Sequence, residues 1–158
     1  MTSIKEAADE FLTAGRIAVT GVSRTPGSHG ANVVYTRLRE LGYDVVPVNP
    51  NADEVEGDRA YPTLTDVPGG VAAVVVGTRP DRALATVEEA VALGVDKVWM
   101  HRSVDRGSVD PEAVRVGREH GLTVIDGGCP LMFGAASDRA HRVMCRLMTL
   151  TGRVPRTV

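Results

Sequence analysis

The chain has 158 residues, 43% apolar and 24% charged, with a formal net charge of −2. That length suits a single domain with a real core, and the charge balance, without a long basic run, argues against nucleic acid as the main partner. No apolar stretch approaches the ~20 residues needed to cross a bilayer, so no membrane partner is expected. Met1 to Leu12 carries acids early and lacks the continuous apolar core of a secretion signal. Cys129 and Cys145 have no metal-ligand spacing, and a cytoplasmic location with both thiols reduced is expected. Aromatics are only 4% of the chain, which leaves a core of Val, Ala and Leu.

Residues 2–14 read as a short helix capped by Ser3, with Ile4, Ala7, Ala8, Phe11 and Leu12 on one face. A strand is expected at 16–20, because Ile17, Ala18 and Val19 form an apolar run that ends abruptly at Gly21. The loop to Gly30 is rich in Gly, Ser, Thr and Pro. A helix at about 31–41 follows, carrying Val33, Val34, Leu38 and Leu41, with Gly42 as its C-cap. A second strand, 44–48, ends in the turn signal Asn49-Pro50-Asn51. The stretch 52–70 reads as a short turn or helix and a loop crossing the sheet edge. A third strand, 71–76, breaks at Gly77-Thr78-Arg79-Pro80, and a helix covers about 81–93. A fourth strand, 97–100, leads into a polar loop at 101–107. A helix at about 111–120, capped by Asp110, precedes a fifth strand at 122–125. A last helix takes about 138–150, and the tail 152–158 is expected to be loose.

Strands alternating with helices imply an α/β fold: a doubly wound parallel sheet of five strands with helices on both faces and right-handed crossovers. Residues 1–158 are expected to form one domain. Ligands of such sheets bind at the carboxyl ends of the strands, where the strand order reverses. The loops 21–30, 49–51, 77–80, 101–107 and 126–130 lie there. Free N–H groups at the start of the helix after Gly30 favour an anion, so a phosphate of a nucleotide-like ligand is the first expectation. The spacing of Gly21, Gly27 and Gly30 matches neither the G-x-G-x-x-G of dinucleotide enzymes nor a Walker loop. A ligand-free βα turn has the same local pattern. The second strand ends in Asn49 where a NAD enzyme usually places an acid. An uncharged amide tolerates a phosphorylated ribose better than a carboxylate does, and Asn49-Pro50 reads equally as a plain turn.

Several motifs recur in order. They are G-V-S-R (Gly21, Val22, Ser23, Arg24) with a later Pro26-Gly27 and Asn32; P-V-N-P (Pro47, Val48, Asn49, Pro50); E-x-x-G from Glu54; and Y-P-T-L from Tyr61. A-L-G-V-D-K-V-W from Ala92 and G-L-T-V-I-D-x-x-C-P from Gly121 complete the set. Over residues 15–131 this combination resembles the small CoA-binding protein family and is similar to the nucleotide-binding domain of the succinyl-CoA synthetase alpha chain. The resemblance implies a Rossmann-like domain that binds coenzyme A, with no enzymatic activity assigned. It implies a phosphate loop of Gly21, Ser23 and Arg24, with Val22 and Asn32 in the same motif. Pro47, Val48 and Asn49 match the segment bordering the adenosine, Gly77, Thr78 and Arg79 the third strand's end against the ligand, and Cys129-Pro130 the closing motif. The family often has Gln and Gly after the fourth strand, where this chain has His101-Arg102-Ser103, and the helix at 138–150 extends past the shared region.

CoA carries a 3′-phosphate and a pyrophosphate, which need N–H donors and fixed positive charge; Arg24, Arg79 and Arg102 sit on ligand-side loops. Catalytic candidates are few. His29 could donate to a phosphate, His101 could act as a base, and Cys129 could form a mixed disulfide with CoA or be a buried, inert thiol. His120 and His141 lie on helices. A ligase of the succinyl-CoA synthetase type needs a second domain with a phosphorylated histidine, for which this length has no room. The leading expectation is a non-catalytic CoA-binding domain with no catalytic residue and no metal. The alternative is an NAD(P)- or acyl-CoA-dependent enzyme using His101 or Cys129. A third reading is an interaction module: Met132, Phe133, Val143, Leu147 and Leu150 could exceed what one small domain buries and serve a homodimer.

Overall fold

Short β-branched runs and amphipathic helices alternate along the chain. The structure, a computed structural model, describes residues 1–104 and 107–158. Helix α1 (Ile4–Leu12) precedes β1 (Ile17–Thr20), α2 (Gly30–Glu40), β2 (Val45–Val48), β3 (Glu54–Val55) and β4 (Asp58–Arg59). Then come β5 (Ala73–Val76), α3 (Pro80–Ala92), β6 (Lys97–Met100), α4 (Pro111–Glu119), β7 (Thr123–Asp126) and α5 (Arg139–Leu150), with 3-10 turns at Pro130–Met132 and Gly134–Ala136. Five strands pair in parallel in the order β2-β1-β5-β6-β7, the expected Rossmann-like α/β sheet. Of the expected polar loop 101–107, Asp105 and Arg106 lie outside the described residues.

The pleat divides the core in two. Ile17, Val19, Ala73, Val75, Trp99 and Ile125 face α1, α2, the 3-10 turns and α5. Ala18, Val74, Val76, Val98, Met100 and Val124 face α3 and α4. Successive strand residues alternate between these clusters because successive side chains leave opposite faces of a sheet. Both faces are covered, so β1 and β5 are buried at every position. Trp99 centres the first cluster. It meets Phe11 edge-on at 5.4 Å between ring centroids, leans on Phe133 at 5.5 Å, and donates its indole N–H to the Gly127 carbonyl at 2.9 Å. Among the described residues, no helix is long and apolar enough to cross a membrane.

Three expectations are corrected. First, the stretch after β2 holds a small antiparallel hairpin, β3–β4, rather than a turn or helix and a loop. Glu56 (φ 50°) and Gly57 (φ 81°) both take the left-handed region, which reverses the chain in two residues. Second, the tail is docked, not loose. Val154 is buried in the first cluster, the Arg153 carbonyl accepts from the Gly128 N–H at 3.1 Å, and the Val158 N–H donates to the Thr2 carbonyl at 3.1 Å. Third, Met132 and Phe133 are buried, so only Val143, Leu147 and Leu150 of the five apolar residues are exposed.

The indole of Trp99 supplies both volume and a buried donor. Trp99→Phe is expected to leave the Gly127 carbonyl unpaired and a void beside Phe11, a loss of about 2 kcal/mol. At this chain length each kcal/mol is roughly 2–4 °C in Tm, so thermal unfolding should shift down by about 4–8 °C.

Candidate functional site

Between β1 and β5 the chain reverses its direction of winding. β1 leads to α2 on one face, and β5 leads to α3 on the other. A crevice opens outside the carboxyl ends of strands at such a point. Two glycines let the strand ends approach. A Cβ on Gly21 (φ 76°) would collide with the Gly77 backbone, and one on Gly77 would lie 2.5 Å from the Thr20 carbonyl oxygen and 2.6 Å from Ala31 Cβ. Thr20 ties the crossing. Its buried hydroxyl donates to the Val75 carbonyl at 3.3 Å and accepts from the Gly77 N–H at 3.2 Å.

The crevice is a cleft of about 470 Å³. The strand ends at Thr20, Gly21 and Gly77 line its floor, Val48 and Asn49 one wall, and Arg79, Arg82 and Thr86 of the α3 side another. His29 is the N-cap of α2 and Arg79 that of α3, and neither gives its helix a side-chain cap. First-turn amides without such caps are donors for an anion, and the helix dipole favours negative charge there. Thr78 adds a buried hydroxyl oxygen that has no hydrogen-bond partner among the described residues. Arg79 is 76% exposed and pairs with Asp81 at 3.2 Å, an exposed contact that a stronger anion readily replaces.

The loop from Gly21 to Gly30 is held from behind. Asn32 is fully buried; its Oδ1 accepts from the Ser23 N–H at 2.8 Å, and its amide donates to the Ser23 carbonyl at 3.0 Å and to Glu56 Oε1 at 2.6 Å. The same Glu56 oxygen accepts from the Gly27 N–H at 2.8 Å. These donors, Asn32 foremost, hold the Glu56 carboxyl below its ordinary range. The hairpin carrying Glu56 is anchored to α2 by Asp58, which accepts from the Tyr35 hydroxyl and from Arg39, each at 2.5 Å. Asp58 is thereby lowered, chiefly by the Tyr35 hydroxyl and next by Arg39. Asn49 braces the loop from the β2 side. Its amide donates to the Val22 carbonyl at 2.8 Å, and its Oδ1 accepts from the Asn51 N–H at 2.7 Å.

Of the residues singled out from sequence, Gly21, Val48, Asn49, Gly77, Thr78 and Arg79 line the cleft. Val22 is buried beneath the loop, Ser23 and Asn32 hold each other, and Arg24 is exposed on the loop. Pro47 lies within β2 opposite Val19. Cys129 is buried in the first cluster with Leu131 and Phe133, and burial pushes its thiol up to about 12. His29 lines the cleft, whereas His101 is buried beneath the start of α2, where a Cβ on Gly30 would come within 2.8 Å of its ring. His120 and His141 place Nδ1 at 2.9 Å from the Val116 carbonyl and from Asp138, respectively, on their own helices. Sequence reasoning did not single out Thr20, Glu56 or Arg82. Glu56 was detectable only through the turn glycine beside it, and the other two carry no local signal.

These features define a Rossmann-like α/β domain with a cleft at the switch point of its parallel sheet. A family model described as the CoA binding domain matches residues 15–135, which include every residue lining the cleft. The chain belongs to that family. It is 32% identical over 114 residues to the uncharacterized protein YneT of Bacillus subtilis, covering 72% of this chain and 81% of that protein. A hypothetical protein from Pyrococcus horikoshii superposes with a TM-score of 0.68 at 30% identity, over 78% of this chain and 87% of that one. The dinucleotide-forming acetyl-coenzyme A synthetase 1 of Candidatus Korarchaeum cryptofilum superposes with a TM-score of 0.63 at 27% identity. Its match covers 77% of this chain but 27% of that larger one.

Two measurements probe this construction. Gly77→Ala forces a Cβ into backbone and is expected to lose about 1–3 kcal/mol, read as a lower Tm. The second concerns pH. Glu56 and Asp58 have folded pKa values below their unfolded 4.5 and 3.8, so the stability they contribute is full above those values and is lost as pH falls through the folded ones. Glu56→Gln with Asp58→Asn should lower Tm at pH 7, and the two melting curves should converge as pH drops below 4. Parallel curves over that range would show that the carboxylates do not brace the loop.

Proposed function

We propose that this protein binds coenzyme A at the β1–β5 cleft and does so without catalysing a reaction on it. The observation that carries this reading is the match to the CoA binding domain across residues 15–135, coinciding with a cleft onto which two helix N-termini open. In this reading the amides of loop 21–30 and of the start of α2 take the pyrophosphate. Arg24 and Arg79 supply charge, and Val48 and Asn49 border the adenosine. The free hydroxyl of Thr78 suits a polar ligand atom. Asn49, in place of an acid at the end of β2, tolerates a phosphorylated ribose and so favours CoA over NAD.

The same geometry favours binding over turnover. Cys129 is a buried thiol, not a thiolate, at neutral pH. His101 is enclosed under Gly30 rather than open to the cleft. Both cysteines are free, which suits a reducing cytoplasm. The whole chain, tail included, acts as one unit in this proposal.

Thermal unfolding with CoA, acetyl-CoA, NAD, NADP and ATP tests it. Ligand at 100 times Kd adds about 2.7 kcal/mol, a rise of roughly 5–11 °C for a chain of this size. A rise with CoA, reduced in Arg24→Glu and Arg79→Glu variants that melt like the native protein without ligand, is the expected result. A rise with NAD or NADP and none with CoA would refute the assignment.

A further inference from the structure

Helix α5 lies beyond the 15–135 stretch matched by the family, and among the described residues one apolar face of it is left exposed. Its inner side buries Met148 and half-buries Met144 and Cys145. On the outer side Ala140, Val143, Leu147 and Leu150 recur at spacings of three, four and three, the a and d positions of a heptad. Val143, Leu147 and Leu150 are 58%, 61% and 78% exposed. Arg139 and Arg146 fall at the g positions beside this seam, with Arg142 next to them, all exposed. Among the described residues, no carboxylate forms an ion pair with these three arginines. From Arg139 to Val158 the chain carries five arginines (139, 142, 146, 153 and 156) and no Asp or Glu, in a protein of net charge −2.

We propose that α5 is a docking helix for an acidic amphipathic helix of another protein. An apolar seam of this regularity is buried by a second helix bearing the same a/d pattern, and charges at e and g choose which helix. Basic g positions select a partner with Glu or Asp opposite them. A second copy of this chain is disfavoured by that rule: an antiparallel pair sets g against g, so that Arg139 and Arg146 would meet arginines, and a parallel pair sets g against e, where Met144 and Thr151 offer them no carboxylate. An anionic membrane is disfavoured by the distribution of charge. At 3.6 residues per turn the arginines lie along one flank of the seam only and the other flank holds Met144, whereas a helix lying in a headgroup layer is rich in Lys and Arg across its polar face.

The test uses the full-length protein and a fluorescent peptide of three heptads, with Leu at a and d and Glu at e and g, read by anisotropy. The peptide is expected to bind. Binding should weaken at least about tenfold at 1 M salt, where the screening length is about 3 Å. Leu147→Glu should abolish it without shifting Tm, because Leu147 is on the surface. Arg139→Glu with Arg146→Glu should exchange the preference, losing the Glu peptide and gaining one with Lys at e and g. Three outcomes overturn the proposal: no binding of the Glu peptide, equal binding of the Lys peptide to the native protein, or a dimer in sedimentation that Leu147→Glu dissociates. Co-sedimentation with phosphatidylglycerol vesicles that exceeds peptide binding would overturn it as well.

Discussion

The backbone crossing of Gly21 and Gly77 is the constraint from which the rest of the site follows. Parallel strands at the switch point send their chains to opposite faces of the sheet, and the two loops must part from a common place. With side chains at either glycine the strand ends could not lie this close. The Thr20 hydroxyl, bonded to both the Val75 carbonyl and the Gly77 N–H, fixes the separation. The N-cap residues His29 and Arg79, which line the cleft, inherit their positions from that contact.

Side chains behind the cleft do a different task from the amides in front of it. Asn32, Glu56 and Asn49 spend their hydrogen bonds on the loop itself. A loop held in this way needs little further ordering when it meets an anion, and ordering is the part of binding that otherwise opposes affinity. The β3–β4 hairpin thereby supports the site through Glu56. Its anchoring by Tyr35, Arg39 and Asp58 links the integrity of α2 to that of the loop at its start.

The five strands of the main sheet and the five helix starts were legible because each has a local cause. β5 is a run of Ala and Val ended by Gly77, and α4 opens on Asp110-Pro111, where the aspartate accepts from the Ala113 N–H at 2.8 Å. The hairpin was not legible, because only two residues on each strand pair and the turn depends on Glu56 taking a left-handed conformation that its type does not favour. The docking of the tail was hidden for a similar reason: Val154 reads as one apolar residue among Gly, Arg, Pro and Thr, and its burial depends on a surface built by distant segments.

For the site, the ordered motifs were enough to locate the loops and the class of ligand to look for, since glycine, proline and asparagine at strand ends reflect local backbone needs. What the sequence by itself determined was the alternation of strand and helix and the chemistry available at each loop. Only the tertiary structure decided which of those groups face the cleft and which hold it up. Asn32 and Cys129 look like ligand residues in the chain, yet one is a buried brace and the other a core thiol. The physical reason is that a hydrogen bond or a burial is a property of two surfaces brought together, and contacts such as Asn32 to Glu56 join residues 24 positions apart.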